Sequence, residues 1–102
     1  MRTLYHPTID EIRLSSILYA LSDPIRLTVF KELSGKGEQS CSALNIPVAK
    51  STLSHHFRTL RESGVIHTRV EGKQRFISIR KDDLNKRFPG LLQAILQASK
   101  PF

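Results

Sequence analysis

The sequence predicts a single, mainly α-helical domain that carries one β-hairpin, an α+β fold. Apolar residues recur every three to four positions through most of the 102 residues, which indicates helices. Two short runs in which apolar and polar residues alternate flank a turn signal at Gly72, which indicates a hairpin. The length suits one domain with a modest core, so we assign residues 1–102 to one unit.

The first third of the chain predicts an arm and two helices. Residues 1–8 are expected to form a flexible arm, and a broad apolar stripe predicts a first helix over 9–21. Ser22 or Asp23 can cap a second helix, and Pro24 suits its first turn. The buried side of that helix should carry Ile25, Val29, Phe30 and Leu33, and residues 34–37 should end it.

The next two predicted helices form a helix-turn-helix over 40–63. A short helix is expected over 39–46, with Cys41 and Leu44 facing inward. A longer helix is expected over about 49–63, because Leu53, Phe57 and Leu60 lie at i, i+4 and i+7. Gly64 should end it, since glycine adopts the left-handed conformation at little cost.

The opposite face of this longer helix is polar and cationic. At about 100° per residue, Ser51, His55 and Arg58 point away from the apolar side, with Ser54 and Thr59 beside them. Hydroxyl, imidazole and guanidinium groups exchange hydrogen bonds with base edges and phosphates. The helix is therefore predicted to enter the major groove of DNA.

A hairpin and a final helix complete the predicted fold. Residues 65–70 and 75–79 read as strands around a turn at Glu71-Gly72-Lys73, giving a basic hairpin over 65–80. An apolar stripe predicts a C-terminal helix over 82–99, which Pro89-Gly90 should kink or divide. A helix-turn-helix followed at once by such a hairpin is a winged helix-turn-helix, with the element order αααα-ββ-α.

Charge and composition narrow the possible partners. The chain has 16 Lys+Arg against 9 Asp+Glu, a net charge of +7, and eight basic but two acidic residues lie between Lys50 and Lys81. Clustered positive charge is typical of a surface that binds a polyanion, here double-stranded DNA. We find no amphipathic helix with exposed aromatics for lipid and no apolar run of about 20 residues, so no membrane partner is expected.

Other function classes have little support in the sequence. Its single cysteine, Cys41, rules out an intrachain disulfide and fits a reducing cytoplasm, and its most economical interpretation is a small buried hydrophobe. We find no nucleophile–base–acid set, no phosphate-binding glycine loop and no cluster of metal ligands. An enzyme is therefore not expected, and neither is a cofactor.

Three segments form a specific combination: ALSDPIRL at 20–27, STLSHHFRTLRESGV at 51–65 and EGKQR at 71–75. In this order and spacing they resemble the ArsR-type family of bacterial transcriptional repressors, over about residues 15–80. The resemblance implies a homodimer that binds operator DNA through the fourth helix and the wing.

Carried over by position, the resemblance implies that DNA contacts come from the fourth helix and the wing, at Ser51, Thr52, Ser54, His55, His56, Arg69, Lys73 and Arg75. The charge and the polar helix face add Lys50, Arg58 and Gln74 to this set. His56 lies on the flank, where a bond to the protein or to a phosphate is the alternative. Arg26 is expected to form a salt bridge within the fold, for example with a carboxylate such as Glu62.

The resemblance also implies that the first and last helices form the dimer interface. A domain of this size has too little core to cover the apolar stripes of both, which favours the same conclusion. We expect the interface to contain Ile12, Ile17, Leu21, Leu91, Leu92, Ile95 and Leu96.

Metal-sensing members of the family use a Cys-x-Cys pair in the third helix, or His and carboxylate ligands on the last helix. Here Ser40-Cys41-Ser42 offers one thiolate, and residues 82–99 contain no histidine. The cysteine pair of redox-sensing members is also absent. We therefore expect a repressor without a metal site. The sequence does not identify the signal that releases it from DNA. The alternatives are a metal- or redox-responsive member of the family, or a winged helix that binds protein.

Overall fold

Five α-helices and a three-stranded antiparallel sheet make up residues 4–98, the part of the chain that the computed structural model describes. The helices are α1 (Leu14–Ala20), α2 (Pro24–Lys36), α3 (Lys50–Ser63), α4 (Lys81–Arg87) and α5 (Leu91–Ala98). The strands are β1 (Gln39–Ser40), β2 (Ile66–Glu71) and β3 (Gln74–Ile79), in the order β1-β3-β2. This arrangement is a winged helix-turn-helix, as predicted.

The predicted first helix is divided into two pieces. A 3₁₀ turn covers Ile9–Glu11, Ile12 and Arg13 are extended, and α1 begins only at Leu14. The break turns Ile12 into the core, where it is 1% exposed and packs against Gly64. A continuous helix over 9–21 would forfeit this contact, so tertiary packing overrides the local helical pattern.

Residues 4–8 are held against the body of the protein, which corrects the expectation of a flexible arm for that part. The backbone carbonyl of Tyr5 accepts a hydrogen bond from Arg61 Nε (3.1 Å), and that of Pro7 accepts one from Arg80 Nη1 (2.6 Å). His6 Nε2 accepts one from the backbone N–H of Thr68 (3.0 Å). Residues 1–3 of the predicted arm lie outside the described residues.

Helix α2 confirms its sequence signals. The side chain of Asp23 accepts a hydrogen bond from the Arg26 backbone N–H (3.0 Å), Pro24 occupies the first turn, and the helix ends at Gly37. Val29, Phe30 and Leu33 are buried as predicted, while Ile25 is half-buried.

The predicted third helix over 39–46 is wrong. Gln39 and Ser40 instead form strand β1, which pairs with Ile77 and Phe76 of β3, and Cys41–Ala43 is a single 3₁₀ turn. So short a helix is only marginally stable in water, whereas the free edge of β3 offers this segment backbone partners. Leu44 is buried as expected, but Cys41 is only half-buried.

The hairpin and the divided last segment confirm the predictions. Glu71 pairs with Gln74, so Gly72 and Lys73 alone form the turn. The last segment separates into α4 and α5 around Pro89-Gly90, and residue 99 of the predicted helix lies outside the described residues. No helix within residues 4–98 is both long enough and apolar enough to cross a membrane.

Four residues predicted for the dimer interface lie instead in the core of the chain itself: Ile12, Ile17, Leu21 and Leu92, all between 0% and 7% exposed. The other three, Leu91, Ile95 and Leu96, are half-buried. The interface predicted for the first helix is wrong at these positions, because α1 packs its inner side, Ile17 and Ala20, on the domain itself. Its outer side exposes Leu14 (46%), Leu18 (49%) and Tyr19 (66%).

Candidate nucleic-acid interface

The outward face of α3 is exposed to solvent, as the helical periodicity of the sequence predicted. Its periodicity buries Leu60 and half-buries Leu53 and Phe57, and leaves exposed Lys50, Ser51, Thr52, Ser54, His55 and Arg58. The helix begins without a side-chain cap and ends at Gly64, whose φ of 97° is left-handed. Arg58 forms an i,i+4 pair with Glu62 (3.3 Å) that is open to solvent and therefore weak. The other polar groups of this face are available to a ligand.

The tip of the wing carries Lys73, Gln74 and Arg75, all exposed. Within the described residues, the side chains of Lys73 and Arg75 have no hydrogen bond and no ion pair. Lys73 lies in the two-residue turn of the hairpin, and Arg75 lies in strand β3. The wing therefore offers two free cations to a ligand.

Arg69, also predicted to contact DNA, is not a free cation. Its guanidinium binds Glu38 (3.0 Å) and Glu71, and lies over the ring of Phe76 at 4.5 Å. Hydrogen bonds to Glu38 and then to Glu71 raise the pKa of Arg69, and the bond from Arg69 lowers the pKa of Glu38. These contacts tie the wing to the loop after α2. The sequence shows no sign of the Glu38 partner, because it lies 31 positions away.

His56 is the clearest correction to the predicted DNA-binding set. It is 9% exposed and lies between α2 and α3, with Nδ1 at 3.1 Å from Arg26 Nη1 and 3.8 Å from Asp23 Oδ2. One residue along a helix turns the side chain by about 100°, which carries His56 from the polar face of His55 to the core side. Its predicted alternative role, a bond within the protein, is the one that the structure has.

Arg26 is buried where α1, α2 and α3 meet, and Glu62 is not its partner. Its Nε donates to the carbonyl of Ala20 (2.6 Å) at the end of α1, and its guanidinium lies 5.4 Å from the ring of Tyr19. Partial burial raises the pKa of nearby Asp23. The hydrogen bonds from the backbone N–H groups of Arg26 and Ile25, together with the nearby positive charge of Arg26, outweigh this effect, so the pKa of Asp23 ends below its usual range.

Arg61 is a cation near this interface that the predicted set missed. Its side chain is 11% exposed, and it lines one cavity together with Thr68 and Arg75 of the wing. Burial lowers the pKa of Arg61, Glu62 opposes this, and repulsion from Arg75 and Arg58 lowers it further. The helical pattern would have placed Arg61 on the stripe of Lys50, Ser54 and Phe57, which is the only sequence signal for it.

The described part of the chain brings no three His, Cys, Asp or Glu side chains together in a way that suits a metal ion. Cys41 is half-buried, and burial raises the pKa of its thiol, with Arg75 acting in the opposite direction. A thiol of raised pKa is a poor nucleophile and a poor metal ligand near neutral pH.

A recognition helix with an open polar face, followed by a cationic hairpin, defines the winged helix-turn-helix class of transcriptional regulators. A family model described as a helix-turn-helix domain matches residues 21–69. The chain is 39% identical over 90 residues to the HTH-type transcriptional regulator YceK of Bacillus subtilis, covering 84% of this chain and 88% of the relative.

Two further similarities agree. The arsenical resistance operon repressor of Staphylococcus xylosus is 33% identical over 73 residues, 71% of this chain and 70% of the relative. The crystal structure of the transcriptional repressor BigR from Xylella fastidiosa superposes with a TM-score of 0.67 at 31% identity, over 84% of this chain and 85% of that one. The chain belongs to the ArsR-type family of winged helix-turn-helix transcriptional regulators, which confirms the resemblance seen in the sequence.

Proposed function

We propose that this protein is a homodimeric repressor that binds an imperfectly palindromic DNA operator. One observation carries the proposal: the free polar groups of α3 and the free cations of the wing lie on the exposed surface of a chain whose excess charge is positive. Relatives described as repressors favour the same activity. Positive charge supplies affinity for any duplex, and base contacts supply preference for one sequence.

The residues divide into two proposed roles. Ser51, Ser54 and His55 are short or planar side chains that suit base edges in the major groove, with Thr52 beside them and Arg58 reaching a base edge or a phosphate. Lys50, Lys73, Gln74 and Arg75 contact the backbone, with the wing along the phosphates or at the minor groove. Arg69 contributes by holding the wing in place through Glu38, and His56 by positioning α3 from within.

The proposed dimer interface uses the surfaces that the fold leaves open. Leu14 and Leu18 on α1 are about half exposed, and Leu91, Ile95 and Leu96 on α5 are only half-buried. A two-fold axis would place the two copies of α3 about one helical turn of DNA apart, roughly 34 Å. Such a dimer requires a palindromic site.

Selection from a random pool of duplexes tests the proposal directly. The purified chain is incubated with the pool at fixed salt, and the bound duplexes are amplified and sequenced over several rounds. We expect an enriched imperfect palindrome whose half-sites are centred about 10 base pairs apart, or a multiple of that. A pool that stays random, or a single asymmetric motif, would contradict sequence-specific binding by a homodimer.

We further propose that metals do not release the DNA. The described residues contain no ligand cluster, although the similarity to an arsenical resistance repressor makes metal release the natural competing hypothesis. One equivalent of zinc, cadmium or arsenite should leave a gel shift on the selected palindrome intact. Loss of the shifted band at one equivalent would support the metal-responsive alternative.

A further inference from the structure

A cavity of about 460 Å³ lies between α3, the sheet and the 3₁₀ turn that follows β1. Its apolar side is formed by Leu53 and Phe57 of α3 and Ile77 of β3. Its cationic side is formed by Lys50, Arg61 and Arg75, and no carboxylate of residues 4–98 lines it. Cavities of this volume are large enough for a small organic molecule.

The three cations are poorly compensated. The side chains of Lys50 and Arg75 have no ion pair or hydrogen bond within residues 4–98. Arg61 donates to the carbonyl of Tyr5 (3.1 Å), and its nearest carboxylate oxygen, on Glu62, is 4.0 Å away. Repulsion from Arg75 contributes to the lowered pKa of Arg61. An anion bound between Arg61 and Arg75 would relieve this repulsion in a partly desolvated site, where the attraction is stronger than in water.

We propose that this cavity binds a small amphipathic carboxylate, with an aromatic or branched apolar body on Leu53, Phe57 and Ile77, and that the bound carboxylate competes with DNA. The carboxylate group contacts Arg75 and Arg61, because planar guanidinium groups bind carboxylates with two parallel hydrogen bonds. A phosphate fits less well, since it would leave the apolar side without a partner. The thiol of Cys41 faces the same cavity as a neutral group.

Competition with DNA rests on the proposed function, since Lys50, Ser54 and Arg75 belong to both sites. A carboxylate on Arg75 removes a positive charge from the backbone contact, and an apolar body beside Ser54 crowds the start of the recognition helix. Both effects weaken the complex with any duplex. The ligand would therefore act as an inducer without a metal and without a redox step.

Calorimetry on the DNA-free protein tests the binding step with three probes: 2-naphthoate, its neutral isostere 2-naphthamide, and inorganic phosphate. We expect saturable binding of naphthoate, at least tenfold weaker binding of naphthamide, and no comparable binding of phosphate. Arg75→Gln should weaken naphthoate at least tenfold. Arg13→Gln is the matched control, because Arg13 is an exposed arginine that does not line the cavity, and it should leave the affinity unchanged.

Four results would overturn the binding step: no saturable binding of naphthoate, equal binding of the amide, equal binding of phosphate, or an equal loss in Arg13→Gln. Equal binding of phosphate would reduce the cavity to a contact for the DNA backbone. Both variants change an exposed side chain, and circular dichroism checks that each is folded.

A separate titration tests competition. Naphthoate at ten times its dissociation constant should weaken the affinity for a fluorescent duplex at least threefold at fixed salt, and naphthamide should not. Unchanged duplex affinity with naphthoate bound would overturn the competition. A chain that binds naphthoate but no duplex at all would overturn the proposed function and leave the cavity assignment standing, so the two failures are distinguishable.

Discussion

Arg26 Nη1 lies 3.1 Å from Nδ1 of His56, and this contact joins the start of α2 to the middle of the recognition helix. Donation by the guanidinium requires that Nδ1 carries no proton. The same arginine binds the carbonyl of Ala20, so the end of α1 is held as well. Both side chains are nearly inaccessible to water, which makes the pair costly to break.

Loss of the Arg26–His56 contact should destabilise the fold. Arg26→Gln should lower the free energy of unfolding by about 1–3 kcal/mol, because buried acceptors lose their donor. A double-mutant cycle with His56→Gln should give a coupling energy of about 0.5–3 kcal/mol in urea unfolding. Arg58→Gln, which breaks an exposed pair, should cost under about 0.5 kcal/mol. Additive effects of Arg26→Gln and His56→Gln would show that the contact does not form.

Replacing Gly64 should destabilise the fold, whereas replacing Gly35 should not. A Cβ at Gly64 would lie 2.7 Å from Ile12 Cγ1, on a backbone with φ of 97°. Gly64→Ala should therefore lower the free energy of unfolding by more than about 1 kcal/mol. Gly35 lies within α2 with open space around it, so Gly35→Ala should raise stability by about 0.5–1 kcal/mol. Thermal unfolding of both variants checks the prediction, and equal shifts in Tm would contradict it.

Residues proposed to contact bases and residues proposed to contact phosphates should have different effects on DNA binding. His55→Ala should reduce the preference for operator over random duplex by about 1–3 kcal/mol per half-site, because it removes a base contact. Lys73→Ala should weaken both duplexes alike and flatten the salt dependence, because a phosphate contact releases counterions without reading sequence. The two ratios are compared at one fixed salt concentration. If Lys73→Ala alone abolishes the preference, the two roles are reversed.

The outer side of α1 should control assembly. Leu18→Glu should yield a folded monomer, because it places a charge at the proposed interface without entering the core. Val70→Glu is the control, since Val70 on the wing is equally exposed, and it should stay dimeric. Light scattering at micromolar concentration gives both masses. An unchanged mass for Leu18→Glu, or a native protein that is already monomeric, would refute the proposed interface.

Protonation of His6 should lower the stability of the folded protein in mild acid. Burial is the largest cause that lowers its pKa below 6.5, followed by the charges of His67, Arg61 and Arg80, while a hydrogen bond at Leu4 opposes them. Between the lowered pKa of the folded state and about pH 6.5, the folded state therefore holds fewer protons than the unfolded state. The contribution of His6 is complete above that pH and is lost as the pH falls through the folded pKa. Protonated Nε2 also cannot accept the Thr68 N–H.

Urea unfolding at pH 7.5 and 5.5 measures this effect. His6→Gln should reduce the loss of stability between the two pH values, since glutamine does not titrate. His67 stacks on His6 at 4.5 Å, so His67→Gln should bring the pKa of His6 closer to its ordinary value in an NMR titration. An identical pH dependence in native protein and His6→Gln would rule out this role.

The first helix and the arm show where sequence patterns mislead. An apolar stripe on a short helix indicates that one side is covered, but not by which surface. The pattern predicts a partner subunit at Ile12 and Ile17, whereas both fill the chain's own core. The sequence predicts a flexible arm over residues 1–8. The backbone carbonyls there bind Arg61 and Arg80, and no side-chain pattern records that.

The sequence by itself determined helix α3, its polar outer face, its end at Gly64 and the hairpin that follows. These features depend on side-chain periodicity and on the backbone freedom of glycine, which act over a few neighbouring residues. Only the tertiary structure decided that His56 points inward to Arg26, that Glu38 neutralises Arg69, and that Gln39 and Ser40 join the sheet. Each of these contacts joins residues about thirty or more positions apart, and the energy that selects them, burial and the pairing of buried polar groups, exists only once the chain has folded.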